Sequence, residues 1–311
     1  MSRLNDKSDW MGESNVLNLT IKEICLAGSH NCFSYNTKTQ IKAAEPYDSF
    51  PIIMNGFVKD WSETQTLTIL QQLQEGVRYF DLRIQKFKDD IYTVHGLYCD
   101  LFVVILTQLS EFIWYHKKEV IILDINHIYN MNKEDNEKIL EIISCLFNGI
   151  SVECNPNNLN IPLEVLVSNN KRVFIFYDYP KEVKRFPYVW GQDFIHSYWP
   201  DRPTFQEVSQ RILTDGMNWI NNRRTGITIL QIILTPTNKS IKSCYLSVSN
   251  SKSLKGVSYK VKENFFQFLH SKELESFPIN ILLLDFIQIN DPFIQLCIER
   301  SIKASNEKRG H

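Results

Sequence analysis

The alternation of apolar and polar positions is clearest between Val77 and Gly96. In Val77-Arg78-Tyr79-Phe80-Asp81-Leu82-Arg83-Ile84, one parity holds Arg78, Phe80, Leu82 and Ile84. The other holds Val77, Tyr79, Asp81 and Arg83, so Asp81 and Arg83 point to one side of a strand, about 7 Å apart. A charged turn leads to a second strand, Ile91-Tyr92-Thr93-Val94, ending in His95-Gly96. An acid, a guanidinium and an imidazole at neighbouring strand ends can form an anion-handling acid/base site. The same residues also fit a surface ion pair and a loop histidine.

The remaining chain repeats one theme, a buried strand followed by a helix. Ile24-Cys25-Leu26-Ala27 is a short strand running into Gly28-Ser29-His30-Asn31, where Gly and Ser allow a sharp turn and leave His30 at the strand end. Residues 34–63 read as a long irregular aromatic loop with Pro46, Pro51 and Gly56. Such a loop suggests a substrate rim or a membrane-touching segment, or simply a packed surface loop. Leu67, Leu70 and Leu73 predict a helix from Thr64 to Glu75 closed by Gly76. Helices are also expected over Phe102–Lys118, from an Asn132 cap to about Phe147, and over Leu163–Asn169, Thr204–Asn222, Val261–Leu269 and Pro292–Ser305. Further strands are expected from Val120 to His127, Arg172 to Asp178, Asp193 to Trp199, Ile227 to Leu234 and Ile281 to Phe286. Residues 235–260 read as a Ser/Lys/Asn-rich loop, 1–20 as a frayed arm docking through Trp10-Met11, and 306–311 as a tail.

Eight strands, most followed by helices, indicate a parallel sheet and an α/β fold. We expect one domain over residues 21–305, an irregular (β/α)₈ barrel of TIM type. It is irregular because the link from Arg83 to Tyr92 is too short for a helix. Sites in such barrels lie at the C-terminal strand ends. His30, Asp81, Arg83, His95, Asn126, Tyr177, Tyr198 and Asp285 all fall there. This convergence favours a functional reading over scattered surface polarity.

Composition narrows the class. The 311 residues carry a net charge of −1, which gives no electrostatic case for nucleic acid. Apolar runs such as Ile281–Leu284 are far too short to span a bilayer. The polar start, Met1 to Glu13, does not resemble a signal peptide. Seven cysteines without a CxxC pair read as reduced thiols, so a cytoplasmic protein without disulfides or zinc is expected.

Three segments carry a family resemblance: Gly28-Ser29-His30-Asn31, Gly76-Val77-Arg78-Tyr79-Phe80-Asp81-Leu82-Arg83 and Val94-His95-Gly96. They resemble the X region of phosphatidylinositol-specific phospholipase C, most nearly its single-domain eukaryotic type. Leu123-Asp124-Ile125-Asn126-His127 and Leu284-Asp285-Phe286-Ile287 extend the likeness over roughly Leu17 to Arg300. The resemblance implies a distorted TIM barrel that cleaves the glycerol–phosphate bond of phosphatidylinositol-like lipids, releasing diacylglycerol and an inositol phosphate.

By resemblance, His30 would take the inositol 2-hydroxyl proton and His95 would protonate the leaving oxygen. Arg83 would bind the phosphate, Asp81 would orient His95, and Asp285 would orient His30. Asn31, Asn126, Tyr177, Ser197 and Tyr198 are the expected substrate contacts. Asn31 matches the calcium-dependent type, but Arg83 stands where those relatives place a metal-binding acid. A guanidinium beside calcium would be repelled, so no metal cofactor is expected. The partner implied is a membrane phospholipid met peripherally, with Phe57, Trp61 and Trp199 as rim candidates and no obligate protein partner. Two other classes stay open. One is a non-catalytic phosphoinositide-binding module. The other is a glycerophosphodiester hydrolase on the same barrel, which needs clustered metal-binding acids; besides Asp81 and Asp285, only Asp124 and Asp178 are found at strand ends.

Overall fold

The computed structural model describes residues 6–178, 185–223, 225–246, 252–290 and 292–310, with the side chains of 244–246 and 290 excepted. Ten strands form one sheet: β1 Leu26–Ser29, β2 Tyr79–Phe87, β3 Asp90–His95, β4 Leu97–Leu101, β5 Ile121–Tyr129, β6 Val173–Tyr177, β7 Val189–Trp190, β8 Ile195–Tyr198, β9 Ile227–Gln231 and β10 Ile281–Leu284. Eight of them run parallel in the order β7-β6-β5-β2-β1-β10-β9-β8, and β3 and β4 branch off β2. The result is a distorted TIM-type barrel. It is open at one seam, because no ladder joins β7 to β8 among the described residues.

Runs such as Ile121-Ile122-Leu123 and Ile281-Leu282-Leu283-Leu284 are wholly buried. That is what a parallel strand packed on both faces requires. The parity of β2 holds: Tyr79, Asp81 and Arg83 face the cavity at the barrel mouth, while Phe80, Leu82 and Ile84 are buried in the apolar core. The ladder between β2 and β5 shifts register between Leu82 and Arg83. Beyond this bulge β2 keeps β5 on one side as far as Gln85 and takes up β3 as an antiparallel partner on the other.

Several sequence expectations are corrected. Ile91–Val94 lies in the arm of a β2-β3-β4 hairpin system, so it is not a barrel stave. The missing stave is Val189-Trp190, two residues long and thus too short to show a period. The expected aromatic loop contains a helix, Asn55–Ser62, entered through a 3₁₀ turn at Ile52–Met54. Pro51 sits just before that turn, where its missing N–H costs nothing. The helix expected from Thr64 begins at Ile69, behind a Thr68–Gln71 capping box. The stretch 235–260 is not only loop, since it carries helices Asn238–Leu246 and Leu254–Lys260.

The ends are also more ordered than expected. Trp10, Met11, Val16 and Leu19 are buried. The backbone of Lys7 and Ser8 accepts hydrogen bonds from Arg78, and Glu119 accepts from the N–H groups of Met11 and Gly12. Arg78 and Glu119 pair at 2.8 Å with no solvent exposure, clasping the N-terminal segment beneath the barrel. The final helix runs from Pro292 to Arg309, taking in most of the expected tail.

Candidate active site

A cavity of about 650 Å³ opens at the C-terminal ends of the staves. His30, Asp81, Arg83, His95 and Asp285 all line it. Each is placed by a local device. His30 follows β1; its N–H bonds Leu284 O, and its carbonyl accepts from Thr64 Oγ1 and Gln65 Nε2, both at 3.0 Å. Asp285 follows β10, and the next residue, Phe286, is held at φ 47 by an N–H bond to Thr64 O. His95 ends β3, and Gly96 turns the chain at φ 70. A side chain at Gly96 would meet the Tyr47 ring at 2.9 Å, so glycine is required there.

His30 Nδ1 lies 2.6 Å from Asp285 Oδ1. With that nitrogen protonated, Nε2 keeps a lone pair, which accepts from Asn31 Nδ2 at 3.0 Å. The two imidazoles face each other edge to face, with ring centroids 6.0 Å apart. His95 Nδ1 donates to the carbonyl of Ser62 at 2.6 Å, turning Nε2 toward the cavity. The expected bond between Asp81 and His95 is not formed. Asp81 Oδ2 accepts from Asn31 N at 2.8 Å and Oδ1 accepts from Asn126 Nδ2 at 2.5 Å. Its nearest imidazole contact is His30 Nε2, at 3.7 Å. The carbonyl of Ser62 at the end of helix Asn55–Ser62, which no residue pattern could announce, takes the place expected for Asp81.

Arg83 makes no hydrogen bond or ion pair with a described residue, and its Nε is buried without a partner. An unpaired guanidinium in a cavity can take up an anion through its free N–H groups. Its field shows in the neighbours. Burial pushes Asp81 up, but the charges of Arg83 and His30 and the two donors outweigh it and hold the carboxyl below its ordinary value. Burial, then Arg83 and His30, push His95 down to about 3. Burial raises Asp285, against the pull of His30.

Of the expected substrate contacts, Asn126 and Ser197 line the cavity. Asn31 lies wholly buried beside it and serves His30 and Asp81 instead. Tyr177 and Tyr198 turn away, with hydroxyls donating to Asn136 Oδ1 and Arg211 O. Both are core residues of their strands. Residues read as structural or left without a role do reach the cavity: Asp124, His127, Asp178, Gln192 and Gln231. Asp124 and Gln231 share the inward parity of their strands, a signal that was legible. Gln192 lies in the seam between β7 and β8, where no period exists.

Calcium does not fit the donor set. Both Asp81 oxygens already accept hydrogen bonds, Asn126 turns its amide nitrogen toward Asp81 and Asp124, and Arg83 brings a fixed positive charge. Among the described residues no group of three or more His, Cys, Asp or Glu could hold a metal ion.

No family model matches the chain. It is 30% identical over 248 residues to PI-PLC X domain-containing protein 2 of Homo sapiens, covering 75% of this chain and 79% of that protein. Identity to PI-PLC X domain-containing protein 3 of Mus musculus is 25% over 316 residues, covering 94% and 92%. The phosphatidylinositol-specific phospholipase C from Listeria monocytogenes shares the fold, with a TM-score of 0.66 at 17% identity over 95% of this chain and 98% of that one. The chain belongs to the family of PI-PLC X domain-containing proteins.

Proposed function

We propose that this protein is a phosphodiesterase of the phospholipase C type, cleaving the glycerol–phosphate bond of phosphatidylinositol-like lipids. The observation that carries this reading is the unpaired Arg83 guanidinium set beside two opposed imidazoles in one cavity. Arg83 binds the phosphodiester and offsets the charge that grows on its free oxygens. His30 Nε2 accepts the proton of the attacking headgroup hydroxyl, whose oxygen forms the new bond to phosphorus. The bond from phosphorus to the glycerol oxygen breaks, and that oxygen takes a proton from His95 Nε2. Diacylglycerol leaves, and a cyclic phosphate remains for water to open.

Asp285 orients His30, and Asp81 steadies the imidazolium that His30 becomes. His95 rests neutral, because burial, Arg83 and His30 all disfavour its charged form. A bound phosphodiester anion counters the last two, so substrate raises its proton affinity and Nε2 takes up a proton from solvent before the attack. Once His30 is charged, 6.0 Å away, the repulsion drives His95 to release its proton to the leaving group.

Membrane engagement follows from the rim. Tyr47 and Trp61 border the cavity, and Phe50, Ile52, Ile53, Met54 and Phe57 are exposed beside them in the chain. Trp199 lines the opposite rim and is also exposed. Among the described residues no helix is long and apolar enough to cross a membrane. Contact through this rim is peripheral.

The test is diacylglycerol release from phosphatidylinositol vesicles in excess EDTA. Wild type is expected to turn over, and His30→Ala and His95→Ala to lose at least 10²-fold, at the low end of general acid–base contributions of about 10²–10⁴. Activity that requires added calcium would overturn the role given to Arg83. Lipid binding without turnover in wild type, unchanged by His95→Ala, would instead mark a binding module.

A further inference from the structure

Asn126 was expected to touch the substrate headgroup, but its amide is committed elsewhere. Nδ2 donates to Asp81 Oδ1 at 2.5 Å and to Asp124 Oδ2 at 3.2 Å, and Oδ1 faces His127 Nδ1 at 2.7 Å. Asp124 is itself fixed from two sides: Tyr79 donates its hydroxyl to Oδ2 at 2.6 Å, and Gln192 donates to Oδ1 at 3.0 Å. Tyr79 and Asp81 come from β2, Asp124 and Asn126 from β5, and Gln192 from the link across the open seam. The ladder pairs Asp81 directly with Asp124. Two carboxylates on adjacent staves would repel if left facing each other. Asn126 Nδ2 sits between them as a shared donor and holds them apart in one geometry.

We propose that Asn126, anchored by Asp124, is a positioning residue for the base: it fixes Asp81, and Asp81 in turn sets the surroundings of His30 Nε2. The chain of contacts runs Tyr79–Asp124–Asn126–Asp81 and ends 3.7 Å from His30 Nε2. Asp81 reaches the base side a second time through Asn31, whose backbone N–H it accepts and whose amide lies on the His30 lone pair. A displaced Asp81 therefore disturbs the base and the group that caps it together. The device rests on the phosphodiesterase reading of the cavity for its kinetic consequence, but not for its effect on His30.

A double-mutant cycle tests it. Asn126→Ala is expected to lower kcat by about 10²-fold, the scale of a misplacement of roughly 1 Å, with KM within about twofold. Asn126→Ala in an Asp81→Asn background is expected to add no further loss, because the residue acts only through Asp81. A raised KM at unchanged kcat, or a full additive loss on the Asp81→Asn background, would overturn the proposal in favour of a headgroup contact. The same cycle is read by the ¹⁵N chemical shifts of the His30 imidazole in the full chain at one pH, which needs no turnover. Asn126→Ala is expected to move the His30 Nε2 resonance with Asp81 present and to leave it unmoved with Asp81→Asn. A shift in both backgrounds, or in neither, sinks the relay. If wild type turns over no lipid but the NMR cycle holds, the relay stands and the catalytic reading fails.

Discussion

At the scale of the residue, His95 shows how a side chain of ordinary chemistry is retuned by its address. Its pKa falls from 6.5 to about 3, first through burial and then through Arg83 and His30. The unfolded chain takes up a proton here as pH drops below about 6.5, and the folded protein does not until about 3. Folding stability therefore falls across that window as the solution is acidified. His95→Asn removes the difference, so the loss of melting temperature between pH 7.5 and pH 5 is expected to be smaller in this variant than in wild type. Equal losses would mean that His95 titrates alike in the folded and unfolded chain. The five polar groups expected at the centre do line one cavity, because a charged or titratable residue at the end of an apolar strand stands out. Sequence reasoning missed the partner of His95, because that partner is the carbonyl of Ser62, a group every residue possesses.

At the scale of the element, β2 does two jobs through its two parities. Inward it presents Tyr79, Asp81 and Arg83 to the cavity. At its start, Arg78 turns outward and bonds Glu119, the carbonyls of Leu73 and Val77, and the N-terminal segment. Burial lowers the Arg78 pKa and raises that of Glu119, so each ion is costly alone and the pair is tolerable only together. Glu119→Ala leaves the guanidinium buried without its counter-ion and frees the N–H groups of Met11 and Gly12. We expect a loss of about 3–5 kcal/mol in urea unfolding. A loss below about 1 kcal/mol would show that the N-terminal segment peels away and lets water reach Arg78. The pair was invisible as a pair in the sequence, since 41 residues separate its members and neither lies in a helical or hairpin register with the other. The two-residue stave β7 was missed for a related reason: its strand character comes from pairing with β6 and not from its own pattern.

At the scale of the whole molecule, the acid–base centre and the exposed apolar rim share one end of the barrel. A polar-lined cavity beside an apolar border fits the proposed substrate, a lipid whose headgroup enters the cavity while its chains stay in the bilayer. Ile53 is the most exposed of the large apolar residues described, at 90%, and does not line the cavity. Ile53→Glu is therefore expected to weaken sedimentation with phosphatidylinositol vesicles several-fold and to leave turnover of a soluble short-chain analogue unchanged. Unaltered vesicle binding would move the membrane contact to the Trp199 side of the mouth.

The sequence alone determined the fold class, the direction of most strands and which polar groups meet in one cavity. Those depend on local period and on polar residues interrupting apolar runs, which are properties of neighbouring residues. Only the tertiary structure decided which of the eight staves are real, that the N-terminal segment is clasped rather than free, and how Asp81 is used. Each of those depends on which group arrives within hydrogen-bonding distance from a remote part of the chain. Asp81 is the clearest instance: its parity placed it in the cavity, but its partners, Asn31 and Asn126, come from the turn after β1 and from β5. A carboxylate has two oxygens and takes whatever donors the fold brings to it, and only the placing of β2 between β5 and β1 set those donors beside it.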